Sequence, residues 1–343
     1  MKWRPSKEFK KQKKLEKSYL NSVGGSIFHT TSQAAKMIFC FVCTGMFLSG
    51  DGDRLEVTMA SISPQKQIAR VDRVASAISV RILDRDFLGS GFIVQHSDGD
   101  YIVITNQHVL RAGEAPYKIK TVDAKTYAAE VITDMDNADY QYDLAILKFT
   151  ADTPYTTATI GSSSNLDVGD RVFATGFPYQ ESGSSRTPDL FSESQAASRA
   201  LALKQGRIAI VLDRALEEGY QIGYTNDVKK GMSGGALLND RGEVIGVNGK
   251  HAYPLWESPE IYQDGSEPCP ALQELITRSS LAIPIEKSIE IATQLKSLKP
   301  DPDKLEYSDD LPAKDSAIVA KMQAIAESTK KQCRQQRAVL ENQ

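Results

Sequence analysis

A serine set among glycines, Gly231-Met232-Ser233-Gly234-Gly235, runs straight into the apolar Ala236-Leu237-Leu238 and constrains this chain more than any other stretch. Glycines on both sides of a hydroxyl let the backbone turn sharply and leave room for a substrate carbonyl to approach. They also free backbone N–H groups to converge on one point, as an oxyanion hole requires. A glycine-rich hairpin turn would look the same in isolation. The rest of the chain has to decide between the two.

A serine nucleophile needs a base and a group to orient that base. The chain has four histidines, His29, His96, His108 and His251. His108 closes the β-branched run Tyr101-Ile102-Val103-Ile104-Thr105-Asn106-Gln107-His108, and Asp143 opens a second apolar run, Asp143-Leu144-Ala145-Ile146-Leu147. Asp136 and Asp139 lie nearby, but neither opens an apolar strand. His96 sits beside a hairpin turn and His29 lies in a polar basic head. His251 follows a strand close to the serine, but the chemistry requires no second histidine. The order His108, Asp143, Ser233 is that of the triad found in chymotrypsin-type barrels.

With those segments in hand, the chain resembles the trypsin-like serine peptidases of the chymotrypsin fold, nearer the bacterial HtrA/Deg branch than the digestive enzymes. The segments are Gly89-Ser90-Gly91-Phe92-Ile93-Val94, Thr105-Asn106-Gln107-His108-Val109, Asp143 to Leu147, Ala174-Thr175-Gly176-Phe177-Pro178, and Gly231 to Leu238 with Gly242 to Asn248. They spread over roughly residues 75 to 284, more than half of the chain. The resemblance implies two packed antiparallel β-barrels and acyl-enzyme hydrolysis of protein substrates. His108 would be the base, Asp143 its orienter and Ser233 the nucleophile, with the N–H groups of Gly231 and Ser233 as the oxyanion hole. Digestive relatives carry an aspartate just before the serine, which pairs with a newly cut N-terminus. Met232 stands there instead, so no activating cut of that kind is expected. The residue six places before the serine sets the primary pocket in trypsin-like enzymes, which makes Asp227 a specificity candidate. The HtrA/Deg branch keeps a small residue there, and Asp227 facing outward beside Lys229 and Lys230 is the alternative. A catalytically silent peptide-binding or scaffold protein of the same fold is the competing function.

Periodicity divides the chain in the same way. Short strands separated by turn residues read as all-β. A first barrel is expected over about residues 75–155 and a second over about 160–298, and together these form the peptidase domain. His108 and Asp143 then belong to the first barrel and Ser233 to the second. The long stretches Tyr179 to Ala202 and His251 to Ser280 do not fit compact barrels and border the cleft. Residues 51–74 and 299–312 read as linkers. Residues 313–343 read as a C-terminal helix with Ile318, Met322 and Ile325 on its apolar face. No PDZ-like module is expected after it.

Charge and cysteine usage bound the remainder. Residues 1–36 hold nine Lys/Arg against two acids, +7, so a chain of net charge −3 carries −10 beyond them. An acidic body argues against a nucleic-acid partner. Residues 37–48 form an apolar run too short to span a bilayer. Together with the basic head, this makes residues 1–50 an export signal, or an uncleaved anchor giving membrane contact. The expected location is therefore periplasmic or extracellular. No His/Cys/carboxylate spacing suits a metal and no phosphate loop is present, so neither metal nor cofactor is expected. Of the four cysteines, Cys269 and Cys333 fall in the folded part, and their spacing leaves pairing open.

Overall fold

The computed structural model describes residues 64–133, 141–179, 200–252, 259–294 and 316–341. The head and its apolar run at 37–48, Asp136 and Asp139, most of the loop after Tyr179, and the 299–312 linker lie outside the described residues.

Twelve strands close into two six-stranded barrels. The first contains β1 (Ser79–Leu83), β2 (Phe87–Ser97), β3 (Asp100–Thr105), β4 (Tyr117–Lys120), β5 (Thr126–Val131) and β6 (Ala145–Thr150), hydrogen-bonded in the order β1-β2-β3-β6-β5-β4. The second contains β7 (Arg171–Gly176), β8 (Ala202–Val211), β9 (Ile222–Tyr224), β10 (Ala236–Leu238), β11 (Val244–Lys250) and β12 (Ser280–Pro284), in the order β10-β11-β12-β9-β8-β7. The pairings between these twelve strands are antiparallel, and closure pairs the edges of each barrel. Local chemistry dictates the joins. Between β2 and β3, Asp98 and Gly99 both take positive φ, the backbone of a two-residue hairpin turn that matches strand twist.

Burial follows the period of two. Along β4, Tyr117 and Ile119 are buried while Lys118 is exposed. Each barrel fills with its own cluster: Val80, Ile93, Val103, Leu147 and Phe149 in the first, and Val172, Ile208, Tyr224, Leu237 and Ile245 in the second. A third cluster joins the barrels, with Phe92, Ile104 and Ile146 packed among Phe173, Leu238, Val244 and Ile283. Fully burying one such side chain contributes about 1.5–3 kcal/mol. The residues meeting between the barrels therefore fix their mutual placement, and Ser79 Oγ to Thr175 Oγ1 at 3.2 Å adds a buried polar contact.

Helices differ more from expectation. Residues 64–74, read as linker, belong to α1 (Pro64–Ile78), whose Val71, Ala75 and Ile78 are fully buried at helical spacing. Proline suits its first position, where the missing N–H has no intrahelical partner to lose. The long insertion before β12 contains a helix of its own, α3 (Pro270–Thr277), and α4 (Ile285–Gln294) follows that strand. The C-terminal α5 (Ser316–Glu341) is present, but rotated from the expected face. Ile318 and Ile325 are 47% and 48% exposed, whereas Val319, Ala326 and Thr329 are buried. Two contacts set that rotation. Gly169 lets the loop before β7 approach so closely that an added Cβ would lie 2.8 Å from Val319 Cγ1. Cys333 forms a disulfide with Cys269 at the start of α3.

Candidate active site

β3 and β6 pair with Thr105 opposite Ala145. His108 stands three residues beyond the end of β3 and Asp143 two residues before β6, so the pairing delivers both to the same end of the first barrel. Between them the chain turns through the five-residue helix α2 (Gln107–Arg111), entered at Asn106. Asn106 Nδ2 donates to the Asp143 carbonyl at 2.7 Å, which ties the two segments together.

Asp143 is 1% exposed. A buried carboxylate requires several donors, and here it has three. The His108 main-chain N–H donates to Oδ1 at 2.8 Å, His108 Nδ1 lies 2.6 Å from Oδ2, and the Tyr220 hydroxyl also donates to Oδ2. The Asp143 N–H is satisfied by the Glu218 carbonyl at 2.9 Å. Glu218 holds φ 60, a backbone state a residue with a side chain adopts only at a cost of order 1–3 kcal/mol. That turn is what aims its carbonyl at Asp143.

His108 presents the other edge of its ring outward, with 43% of the side chain exposed. Burial alone would push its pKa down. The hydrogen bond to Asp143, the Asp143 charge and the nearby Glu218 outweigh this and hold the imidazole above its ordinary value. Glu218 is itself pushed up, first by burial and then by Asp143.

Ser233 stands between β9 and β10 on the second barrel. Three main-chain bonds hold its loop: Ser90 N–H to the Ser233 carbonyl at 2.9 Å, Gly234 N–H to the Asn248 carbonyl at 2.8 Å, and Asn248 N–H to the Gly235 carbonyl at 2.9 Å. Gly234, at φ 83, could not be replaced without collision, because a Cβ there would lie 2.2 Å from the Ser90 carbonyl. The Ser233 hydroxyl donates to the Gly249 carbonyl at 3.0 Å rather than to the imidazole. The structure thus joins His108 and Asp143 directly and leaves the serine hydroxyl on β11.

The two N–H groups expected to receive an oxyanion are aimed by the carbonyls behind them. A trans peptide points its C=O and N–H in opposite directions. The Lys230 carbonyl accepts from Tyr179 N–H at 2.8 Å, and the Met232 carbonyl accepts from Gly235 N–H at 3.1 Å. Both bonds lie on the side away from Gly231 N–H and Ser233 N–H. Among the described residues neither N–H donates to a backbone carbonyl. Ser90 completes the arrangement: its Oγ accepts from Phe177 N–H and donates to the Gly231 carbonyl, each at 2.8 Å.

Met232 is fully buried, in the cluster that includes Val172, Tyr224 and Val228. Its N–H donates to the Lys229 carbonyl at 3.0 Å and its sulfur receives the Lys229 N–H at 3.5 Å. Apolar anchoring stands where an ion pair would otherwise hold the loop. Asp227 does not join the site. Its side chain is 65% exposed and lies 2.7 Å from Lys229 Nζ. His96 stacks on Tyr101 in the first barrel and His251 is exposed. Among the described residues no group of three His, Cys, Asp or Glu side chains is placed to hold a metal ion. Tyr220 and Ser90 were missed as site residues by reading the sequence. Tyr220 gives no local signal, whereas Ser90 lies in the segment Gly89 to Val94 that carries the resemblance, which assigns it no role.

Comparison with known proteins agrees with this architecture. Residues 89–247 match the family model of the trypsin-like peptidase domain. Over 160 residues, 47% of this chain and 29% of the relative, the chain is 32% identical to the serine protease HTRA4 of Mus musculus. It is 33% identical over 161 residues to the periplasmic pH-dependent serine endoprotease DegQ of Escherichia coli (strain K12), covering 47% of this chain and 30% of that protein. The serine protease Do-like HtrA of Lactobacillus helveticus is 31% identical over 161 residues, 47% of this chain and 35% of the relative. Residues 89–247 are thus similar to trypsin-like peptidase domains, and a stretch of comparable length is similar to the HtrA serine proteases. The match spans about a third of the length of these curated relatives.

Proposed function

We propose that this domain is a serine endopeptidase that cleaves protein or peptide substrates through an acyl-enzyme, using His108, Asp143 and Ser233. The observation that carries the reading is the two-point hold of Asp143 on His108, through ring and main chain, beside a serine loop in which, among the described residues, Gly231 N–H and Ser233 N–H donate to no backbone carbonyl. With Nδ1 committed to Asp143, Nε2 is the nitrogen left to take the Ser233 proton. In this reading Ser233 Oγ leaves the Gly249 carbonyl for that nitrogen when substrate arrives, since catalytic hydrogen bonds are often unmade in the free enzyme. The hydroxyl then attacks the scissile carbonyl, and the oxyanion forms against the N–H groups of Gly231 and Ser233. His108 returns the proton to the leaving amine, and water repeats the cycle on the ester. Removing one oxyanion donor typically costs about a hundredfold or more in rate.

The peptidase unit is assigned to residues 75–298, with helix α1 leading into it, residues 1–50 as an export segment, and α5 as a docked C-terminal helix. Export to the periplasm or cell exterior is supported by the Cys269–Cys333 disulfide, a bond that persists in oxidising compartments. A relative described as periplasmic supports it as well. Among the described residues no helix is long and apolar enough to cross a membrane.

One observation favours the competing reading of a silent binding module: the Ser233 hydroxyl rests on Gly249 and not on His108. Labelling with a fluorophosphonate probe separates the two. The peptidase reading expects stoichiometric modification at Ser233 that disappears in Ser233→Ala. Folded protein that takes up no label would leave the binding module standing.

A further inference from the structure

Tyr220 is fully buried at the head of β9, and its hydroxyl donates to Asp143 Oδ2, the oxygen that also faces His108 Nδ1. Two features show that the fold is built around this contact. The first is Gly249, whose carbonyl receives the Ser233 hydroxyl. A Cβ at Gly249 would lie 2.1 Å from the Tyr220 Oη and 2.3 Å from its Cε1, so a side chain on β11 and the tyrosine exclude one another. The second is the cover over the ring. Lys250 Nζ stands 4.8 Å from the ring centroid and is itself held by Glu260 at 3.0 Å and Glu218 at 3.8 Å. A buried phenol needs a partner, and here the carboxylate is that partner. Burial, then the Asp143 charge, push the phenol well above its ordinary pKa, so it acts only as a donor.

We propose that Tyr220 is a positioning residue of the triad, which fixes the rotamer of Asp143 through Oδ2 and shares the carboxylate's charge with His108. The inference rests on His108 acting as the general base. Oδ1 is already occupied by the His108 main-chain N–H, so Oδ2 alone divides its attraction between imidazole and phenol. Removing the phenol donor leaves more of that charge to the imidazolium, so His108 should hold its proton to higher pH. The carboxylate also gains freedom to turn. The other charged groups bearing on the pair stay in place in a Tyr220→Phe variant. They are Glu218 from the turn before Tyr220, Lys250 from β11, Glu260 beside Lys250, and Arg111 acting on Glu218 from α2.

The test is Tyr220→Phe in the full chain, with two readouts: the NMR titration of the His108 imidazole, and the pH dependence of peptide hydrolysis. Phenylalanine keeps the ring and removes only the hydroxyl. The expected result is a His108 midpoint moved upward, the acid limb of the rate profile moved with it, and kcat lower by roughly tenfold with KM little changed. A variant with an unchanged His108 midpoint overturns the proposal, even if its stability falls. Should the native protein hydrolyse no peptide, the peptidase reading fails, but the imidazole titration still decides the role of Tyr220. Gly249→Ala serves as the second variant, because its Cβ displaces the Tyr220 hydroxyl from Asp143. The His108 midpoint should rise there too, and no rise counts against the proposal.

Discussion

Asp143 holds His108 twice, through Oδ2 to ring Nδ1 at 2.6 Å and through Oδ1 to the main-chain N–H at 2.8 Å. The double hold leaves one tautomer and one ring orientation compatible with the backbone, and it keeps the imidazole above its ordinary pKa. A protonated imidazole cannot accept the serine proton. The acid limb of kcat/KM should therefore have its midpoint above the ordinary histidine value of about 6.5. Stability runs the other way. A pKa raised on folding contributes stability that is fully present below the unfolded value and is lost as pH rises through the folded one. The gap in melting temperature between native protein and His108→Ala should accordingly narrow across the pH window in which activity appears. An acid limb centred below the ordinary value would contradict the assignment.

Triad members act as a unit. Ser233→Ala and His108→Ala should each lower kcat by roughly 10⁴-fold or more, and the double variant should be little worse than either. Circular dichroism should show the fold intact in all three. Losses that multiply in the double variant would mean the two residues do not share one step.

Ser90 is the polar pivot between the barrels. Its Oγ satisfies Phe177 N–H and the Gly231 carbonyl, and its N–H meets the Ser233 carbonyl. Alanine there keeps the main-chain bond but strands two buried backbone groups, at about 1–3 kcal/mol each. Unfolding in urea should show a loss of that order for Ser90→Ala. Hydrolysis should slow through kcat, because the peptide after Gly231 loses its anchor. A variant as active and as stable as the native protein would remove Ser90 from the account.

How far the sequence discloses this arrangement depends on the range of each interaction. The barrels were legible because alternation and turn chemistry are local, as at Tyr117 and Ile119 or at Asp98-Gly99. His108 and Asp143 were legible because each adjoins a strand, and β3 pairing with β6 brings them together. Tyr220 was not. Its role arises from a hydroxyl meeting a carboxylate 77 residues away, in space left by a glycine on a third segment. The face of α5 was misjudged for a related reason: Ile318 and Ile325 form an apolar stripe, but a disulfide and a close glycine decide which side docks. In α1 the signal was present, since Ile68, Val71, Val74, Ala75 and Ile78 recur at helical spacing, and polar neighbours obscured it.

The Cys269–Cys333 bond closes a span of 64 residues and ties α5 to α3. On a chain-entropy basis a loop of that length is worth at most about 4 kcal/mol. Cys333→Ser should lower the melting temperature and speed hydrogen exchange in α5 before it touches the barrels. Peptide hydrolysis at low temperature should persist, because the contacts that dock α5 fall on α3, β8 and Gly169, none of which carries a residue of the proposed triad. Loss of activity in a folded Cys333→Ser protein would give α5 a part in the site.

Specificity gives the last prediction. Six places before the serine stands Asp227, where a carboxylate at the base of a pocket would select Lys or Arg before the scissile bond. The side chain instead lies 65% exposed, with Lys229 Nζ 2.7 Å away. An exposed carboxylate with a cation already beside it attracts a substrate cation weakly, since solvent and the existing partner screen the charge. The neighbouring side chains that turn inward carry no charge: the apolar Val228 and Met232, and Asn226, whose amide donates to the Val172 and Lys204 carbonyls. Cleavage of a denatured protein mixture should therefore show no enrichment of Lys or Arg before the cut, and Asp227→Asn should leave the profile as it is. Cuts concentrated after Lys and Arg in the native protein, and dispersed in Asp227→Asn, would place the carboxylate in the pocket during turnover and overturn the outward assignment.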